Sequence, residues 1–530
     1  MAQDHRALSA EEDWLRRKLK QHCLTLASLE RTIARLRSRV RHLKEGDANT
    51  AFFHKQASFR KKKNFIAKLV VDDQVFTAQQ DKHNVLYEYF DGILGMAVPR
   101  ASSLDLLAFH HAGLDLSVLD KPFTDEVWAT IRSLPADRAP GPDGYTRQFY
   151  KTCWLVIKTD FVAAILTLQQ GDDRKLELLN SAYLTLIPKK AEALEAKDYR
   201  PISLVHSFAK LVTKMMANCL VPLLDSMVAS NQSAFIRGRC IHDNFMLVQQ
   251  TIKVLHRRKI ASLFLKLDIS KAFDSVAWSF LLDILSHLGF GASWCSLITS
   301  FLKSASTQVI LNGELGDFIY HQRGLRQGDP LSPMLFILVM DVLNSLFTKA
   351  ESEGLLQPLH SIGRRLLLYA DDVVLFIRPE PEDLQLTKSL LQIFGEASGL
   401  QTNLQKSCVI PIHCEADYVE VVNNTLSCTV SSFPSIYLGL PISDKKLRSD
   451  LLVWIEKIAN KLPGWKASLL NLAGRTVLVR FVLTAIPIYL LVALKVPKWF
   501  IRAVDKIRRS FLWKGRKEIN GGLGESYATT

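Results

Sequence analysis

Two apolar runs meet at a pair of carboxylates. Leu366-Leu367-Leu368 leads into Tyr369-Ala370-Asp371-Asp372, and Val373-Val374-Leu375-Phe376-Ile377 follows. Short β-rich runs on either side of a tight polar break predict a hairpin of buried strands. The hairpin constrains the fold, because its strands need a covered sheet, and it sets two negative charges at one turn. Like charges that close repel and are costly without a counter-ion, for which a divalent cation is the usual answer. Alone, the pair reads more often as a solvated turn, since Asp favours turns.

A third carboxylate lies well upstream, in Ser262-Leu263-Phe264-Leu265-Lys266-Leu267-Asp268. The run to Leu267 predicts a buried strand that Lys266 interrupts, and Ala272 to Leu282 predicts a helix. An Asp that leaves a strand toward a helix can point into a cleft; it can equally cap the helix. Asp268, Asp371 and Asp372 on neighbouring strands would make an oxygen-rich site suited to two Mg²⁺ ions. A pair of ions about 4 Å apart clamps the attacking and leaving oxygens of a phosphoryl displacement.

These segments resemble the reverse transcriptase of a plant non-LTR retrotransposon of the LINE type. The resemblance covers about Arg37 to about Lys517, with its segments in the family's order. It is carried by Asp268 with Ala272-Phe273-Asp274, then Arg326-Gln327-Gly328-Asp329-Pro330-Leu331-Ser332-Pro333, then Tyr369-Ala370-Asp371-Asp372. It implies an α+β right-hand polymerase with fingers, a palm with an antiparallel sheet and a helical thumb. Its catalytic and metal residues would be Asp268, Asp371 and Asp372, with two Mg²⁺ ions for which Mn²⁺ can substitute. Its partners would be an RNA template, a DNA primer and dNTPs.

The resemblance implies further roles. Phe273 falls where the family keeps an aromatic steric gate against the ribose 2′-hydroxyl; a plain core aromatic is the other reading. Gln327 and Gly328 correspond to nucleotide contacts: glycine permits close backbone approach, and the amide can bond a sugar or base. Lys189 and Arg200 match the fingers, where their charges suit triphosphate oxygens. Lys406 is a candidate to protonate pyrophosphate, with phosphate neutralisation or a structural role as alternatives. Lys210, Arg237 and Arg239 would meet template backbone. Tyr437 and Gly439 lie in Tyr437-Leu438-Gly439-Leu440-Pro441, which resembles the primer grip. An RNA-templated RNA polymerase shares the palm logic, but Phe273 and Ala370 argue against it. A catalytically silent nucleic-acid-binding remnant is the other alternative.

Composition supports a polyanion partner: the net charge is +15, nucleic acid being the first reading and an acidic membrane the second. None of the 8 cysteines forms a Cys-x-x-Cys pair, which argues against a zinc ribbon and a disulfide framework. A nuclear or cytoplasmic location, neither secreted nor in a membrane, fits that usage and a start that lacks the apolar core of a signal peptide. The apolar window from Phe481 to Leu494 contains Pro487 and predicts a buried helix pair, since a span needs about 20 apolar residues.

Residues 1–125 predict a basic, helical N-terminal extension. In it Leu19, Leu26, Ile33 and Val40 interleave with Leu15, Leu29, Leu36 and Leu43 as an a/d stripe, interrupted by His22. The stripe fits self-association as a coiled coil or docking on the body, with docking favoured. Gly46 to Thr50 is expected to end that helix, and Arg60-Lys61-Lys62-Lys63 is a nuclear-import signal, a phosphate contact or a solvated face. Residues 126–443 are expected to form fingers and palm, and 444–530 a truncated thumb bearing Trp465, Trp499 and Trp513. By resemblance, the endonuclease and further C-terminal domains of complete elements are expected to be absent, leaving polymerisation without integration chemistry.

Overall fold

The structure is a computed structural model that describes residues 6–38, 50–97, 99–109, 113–135, 139–190, 192–359, 362–445, 447, 449–461 and 470–514. It is mixed helix and sheet, as expected for an α+β chain. Val40, Leu43, Gly46-Asp47-Ala48-Asn49, Trp465 and the C-terminal stretch lie outside the described residues.

The chain divides into two compact units. The first comprises Met1–Tyr89, Leu184–Ile202 and Gln308–Asp317. In it, helix α1 (Ala10–Ser38) packs on α2 (Thr50–Asn64). The contact buries Ala34 and Phe53 but leaves the a/d stripe outside, with Leu19, Leu26 and Leu29 each more than half exposed. His54 sits 3.9 Å from Glu30, a surface contact between these helices. A hairpin absent from the sequence reading follows, β1 (Leu69–Val71) with β2 (Gln74–Phe76). Its turn residues, Asp72 and Asp73, both take positive φ, the geometry a two-residue I′ turn demands. Strands β3 (Ser181–Pro188), β4 (Tyr199–Val205), β6 (Ser306–Leu311) and β7 (Glu314–Tyr320) form a four-stranded sheet in the order β4-β3-β6-β7.

The second unit, Phe90–Tyr183, Ser203–Thr307 and Phe318–Thr530, holds the aspartates. Its centre is a five-stranded sheet of order β11-β10-β5-β9-β8. The strands are β5 (Ser262–Leu267), β8 (Leu366–Tyr369), β9 (Asp372–Ile377), β10 (Cys408–Ile412) and β11 (Thr429–Val430). Side chains alternate across a strand, and here each face feeds its own core. Leu263, Leu265, Leu267, Val373, Leu375 and Ile377 join one core, which includes Phe336 and Leu335 of helix α6 (Ser332–Ser352). Phe264, Val374, Phe376 and Ile410 join the other, with Phe245, Val248 and Ile252 of helix α4 (Ile241–Arg257). Burial on both faces is why these strands read as continuous apolar runs.

Two expectations need correction here. The helix expected from Ala272 to Leu282 is two pieces, α5 (Ala272–Ser275) and a second helix from Trp278 to His287. The break exists because Val276 O and Ala277 N bond outside the segment, to Gly324 N and Ser398 O. The window from Phe481 to Leu494 is not a buried pair. Leu483 and Leu490 are fully buried, while Phe481 is 67% and Val492 55% exposed. Arg147–Gln169, Ser332–Ser352 and Leu472–Ala493 are each long and apolar enough to cross a membrane, by length and composition alone.

Candidate active site

Strand register assembles the carboxylates. β5 runs antiparallel to β9 with Leu267 opposite Val373, so Asp268 is one step beyond the last pair, beside Asp372. β8 pairs with β9 through Tyr369 and Asp372, which leaves Ala370 and Asp371 as a two-residue turn. All three aspartates therefore meet at one end of the sheet. Their proximity has an electrostatic trace. Burial pushes the Asp372 carboxyl above its ordinary value, Asp371 pushes it further, and Asp268 adds to the rise. Lys266 opposes this, and its Nζ donates to Ile436 O at 3.1 Å in an exposed contact. A lysine interrupting an apolar run was its signal in the sequence.

The backbone around the site is fastened on both sides. Asp268 N donates to Ser407 Oγ at 3.0 Å, and Asp268 O accepts from Asn403 N at 2.7 Å. The Ser398–Ser407 segment thus holds the end of β5, and Lys406 is an exposed member of it whose N–H donates to Asn403 Oδ1. Ala370 takes a positive φ of 54° and is 5% exposed. Its N–H donates to Oε1 of Gln232 at 3.0 Å, and the same oxygen accepts from Ala234 N. Gln232 is fully buried, and its segment also bonds Leu368 through Ser233 N and Asn231 O. Gln232 is a site residue that sequence reasoning missed. A polar stretch of Asn231-Gln232-Ser233 gave no sign that its amide reaches a turn far along the chain.

The donor set suits a hard divalent cation, since all of it is carboxylate oxygen. Among the described residues no group of three or more His, Cys, Asp or Glu is set to hold a metal ion. The sheet end supplies convergence and charge rather than a closed cage.

The nucleotide candidates of this unit sit on connected segments. Phe273, on α5, is half-buried and stacks on Phe336 with ring centroids 4.3 Å apart. Gln327 donates from Nε2 to both carboxylate oxygens of Asp274 at 3.2 Å, and its carbonyl accepts from Ser203 N at 3.1 Å. Gly328 has a φ of +105°, which favours glycine, and a Cβ there would make a tight 3.3 Å contact with Ser203 O. Lys210 lies in the first turn of helix α3 (Ser207–Leu220), and Arg237 is exposed.

Lys189 and Arg200 belong to the first unit. Lys189 is exposed, with Nζ 2.7 Å from Lys197 O, and Arg200 is exposed on β4.

Two candidates are corrected. Arg239 is an internal brace rather than a template contact. Its guanidinium donates to the carbonyls of Ala229, Gln232, Val228 and Asp225 and pairs with the Asp225 carboxylate. Tyr437 is fully buried, and its hydroxyl donates to Asn244 Oδ1 at 2.7 Å, so its side chain cannot touch a primer. Gly439, by contrast, is exposed in the turn between β12 (Ser435–Tyr437) and β13 (Leu440–Ile442).

Residues 187–441 match the family described as reverse transcriptase (RNA-dependent DNA polymerase), a stretch that carries all the aspartates above. This segment is similar to that family. The chain is 27% identical, over 76% of its length, to an uncharacterized 149 kDa protein of transposon TX1 from Xenopus laevis, of which it covers 31%. It is 32% identical, over half its length, to the retrovirus-related Pol polyprotein of a type-1 retrotransposable element R2 from Nasonia vitripennis, covering 24%. A stretch of 67 residues is 45% identical to an uncharacterized mitochondrial protein of Arabidopsis thaliana, covering 55% of it and 12% of this chain. The chain thus spans less than a third of the length of the two transposon relatives.

Proposed function

We propose that this chain is the RNA-directed DNA polymerase of a plant non-LTR retrotransposon of the LINE type, extending a primer 3′-hydroxyl with dNTPs on an RNA template. The observation that carries the reading is the meeting of Asp268, Asp371 and Asp372 at one sheet end, inside the stretch that matches the reverse transcriptase family. The transposon relatives support the element type, and the Arabidopsis stretch supports the plant source.

Asp268, Asp371 and Asp372 would hold Mg²⁺, or Mn²⁺ in its place. Bound there, the ions would polarise the α-phosphate, lower the pKa of the primer hydroxyl and neutralise the leaving pyrophosphate. The protein's part is to fix the carboxylates. Asp268 is held through its own backbone by Asn403 and Ser407, and the Asp371 turn by Gln232. Phe273 would stand where a ribose 2′-hydroxyl would otherwise fit, with Gln327 and Gly328 along the nucleotide. Lys189 and Arg200 would neutralise triphosphate oxygens, and Lys406 would donate the proton to pyrophosphate. Lys210 and Arg237 are the template contacts, and Gly439 supports the primer end. A charge of +15 would make hybrid binding strongly salt-dependent. The fingers and palm are assigned to 126–443, the thumb to 444–530, and the basic N-terminal extension to 1–125. The exposed stripe on α1 is the surface for self-association, and the location is nucleus or cytoplasm without a membrane.

The deciding experiment is primer extension on poly(rA) with purified protein, Mg²⁺ and dTTP, with Asp371→Asn alongside. Extension by wild type alone is expected. Equal extension by both removes the metal assignment, and template binding without turnover by wild type identifies a silent remnant.

A further inference from the structure

We propose that Asp274 is a positioning residue for nucleotide selection: it orients the Gln327 amide so that the amide oxygen is left to accept a hydrogen bond from a sugar hydroxyl. This deepens the polymerase reading and rests on it.

The two side chains differ in what they can donate and accept. An ionised carboxylate only accepts hydrogen bonds, whereas a Gln amide donates from one end and accepts at the other. Gln327 Nε2 lies 3.2 Å from both oxygens of Asp274. A flipped amide would set oxygen against oxygen, so the carboxylate permits one orientation. The amide oxygen then faces away from Asp274, and it can only accept.

Both residues stand on backbone that leaves little freedom apart from that flip. Asp274 N donates to Lys271 O at 2.8 Å, and Leu325 N donates to Phe273 O at 2.6 Å. Gly324 N donates to Val276 O and its carbonyl accepts from Trp278 Nε1, each at 2.8 Å. A Cβ at Gly324 would fall 2.5 Å from Asp274 O, so only glycine lets the two segments lie this close. On its far side the Gln327 carbonyl is tied to Ser203 N. The ring of Phe273 and the amide of Gln327 therefore share one frame. The ring is placed to exclude a hydroxyl at one sugar position, and the amide oxygen to recognise a donor at another. A deoxynucleotide carries one such donor, its 3′-hydroxyl.

The test compares dTTP with 2′,3′-dideoxy-TTP, which lacks the donor, in single-nucleotide extension on poly(rA). Wild type is expected to prefer dTTP. Asp274→Asn, which offers a donor as well as an acceptor and so permits both flips, should lower that preference about tenfold. The loss should lie in the KM for dTTP, with dideoxy-TTP little changed. Asp274→Glu keeps an acceptor-only head and should stay within about threefold of wild type. Gln327→Met should lose the preference as Asp274→Asn does. An unchanged ratio in a folded Asp274→Asn protein overturns the proposal. So does an equal loss for both nucleotides, the mark of a merely structural role. If Asp274→Asn does not fold, Asp274→Glu decides: a ratio fallen to that of Gln327→Met overturns it. A wild-type protein that extends no primer removes the polymerase reading, and this proposal with it.

Discussion

Two hairpins in the second unit share a loop length and little else. The β8–β9 hairpin closes Tyr369 on Asp372, and the β12–β13 hairpin closes Tyr437 on Leu440, each across two residues. In the second, Leu438 and Gly439 both take positive φ, at 46° and 77°, which is the relaxed I′ form. Its Gly439 is exposed, and the Tyr489 hydroxyl donates to Leu438 O at 2.6 Å. In the first, the positive φ falls on Ala370, a buried residue without glycine's freedom, at a cost of roughly 1–2 kcal/mol. A buried glutamine from elsewhere in the chain holds that turn in place. The difference teaches where to look for chemistry. The strained, braced turn carries Asp371 and Asp372, and the relaxed one carries no carboxylate.

The comparison can be broken at several points. Asp371→Asn should lower primer extension about a thousandfold while the far-UV circular dichroism stays that of wild type. Retained activity would reduce the first turn to the status of the second. Gln232→Leu removes the acceptor of two buried N–H groups. It should cost about 2 kcal/mol, read as a lower denaturation midpoint, with kcat falling and the dNTP KM unchanged. A variant as stable and as active as wild type would mean that the brace does not hold the turn. Gly439→Ala should cost about 1 kcal/mol through its backbone alone. Space is not the obstacle, because the nearest atom to an added Cβ is a Tyr489 ring carbon at 3.9 Å. Tyr489→Phe should have the smallest effect, about 0.5 kcal/mol with catalysis intact. A large loss of extension in either of these last variants would give the second turn a direct part in primer handling.

Much of this architecture was legible because burial writes itself into composition. Leu263 to Leu267 and Val373 to Ile377 are apolar at nearly every position, since both faces of their sheet are covered. The aspartates stood out because they end such runs. What stayed hidden depends on partners distant in sequence. Arg239 and Tyr437 have the residue types of surface contacts, yet one is consumed by backbone carbonyls and the other by Asn244. Nothing local separates an arginine that meets phosphate from one that stitches a loop. The break at Val276 and Ala277 is set by Gly324 and Ser398, so helical periodicity ran through it unnoticed. Phe481 and Val492 misled in the opposite direction, as apolar residues on a helix face that the described residues leave uncovered.

A sheet clamped by apolar layers on both sides has few ways to loosen locally. Amide protons of β5 and β9 should be among the last in the protein to exchange with solvent, opening only when the whole unit does. The acidic cluster rides on the end of that slow-exchanging plate. Heat should therefore abolish turnover at the temperature where this unit melts, leaving no window in which an intact fold carries a softened reaction centre.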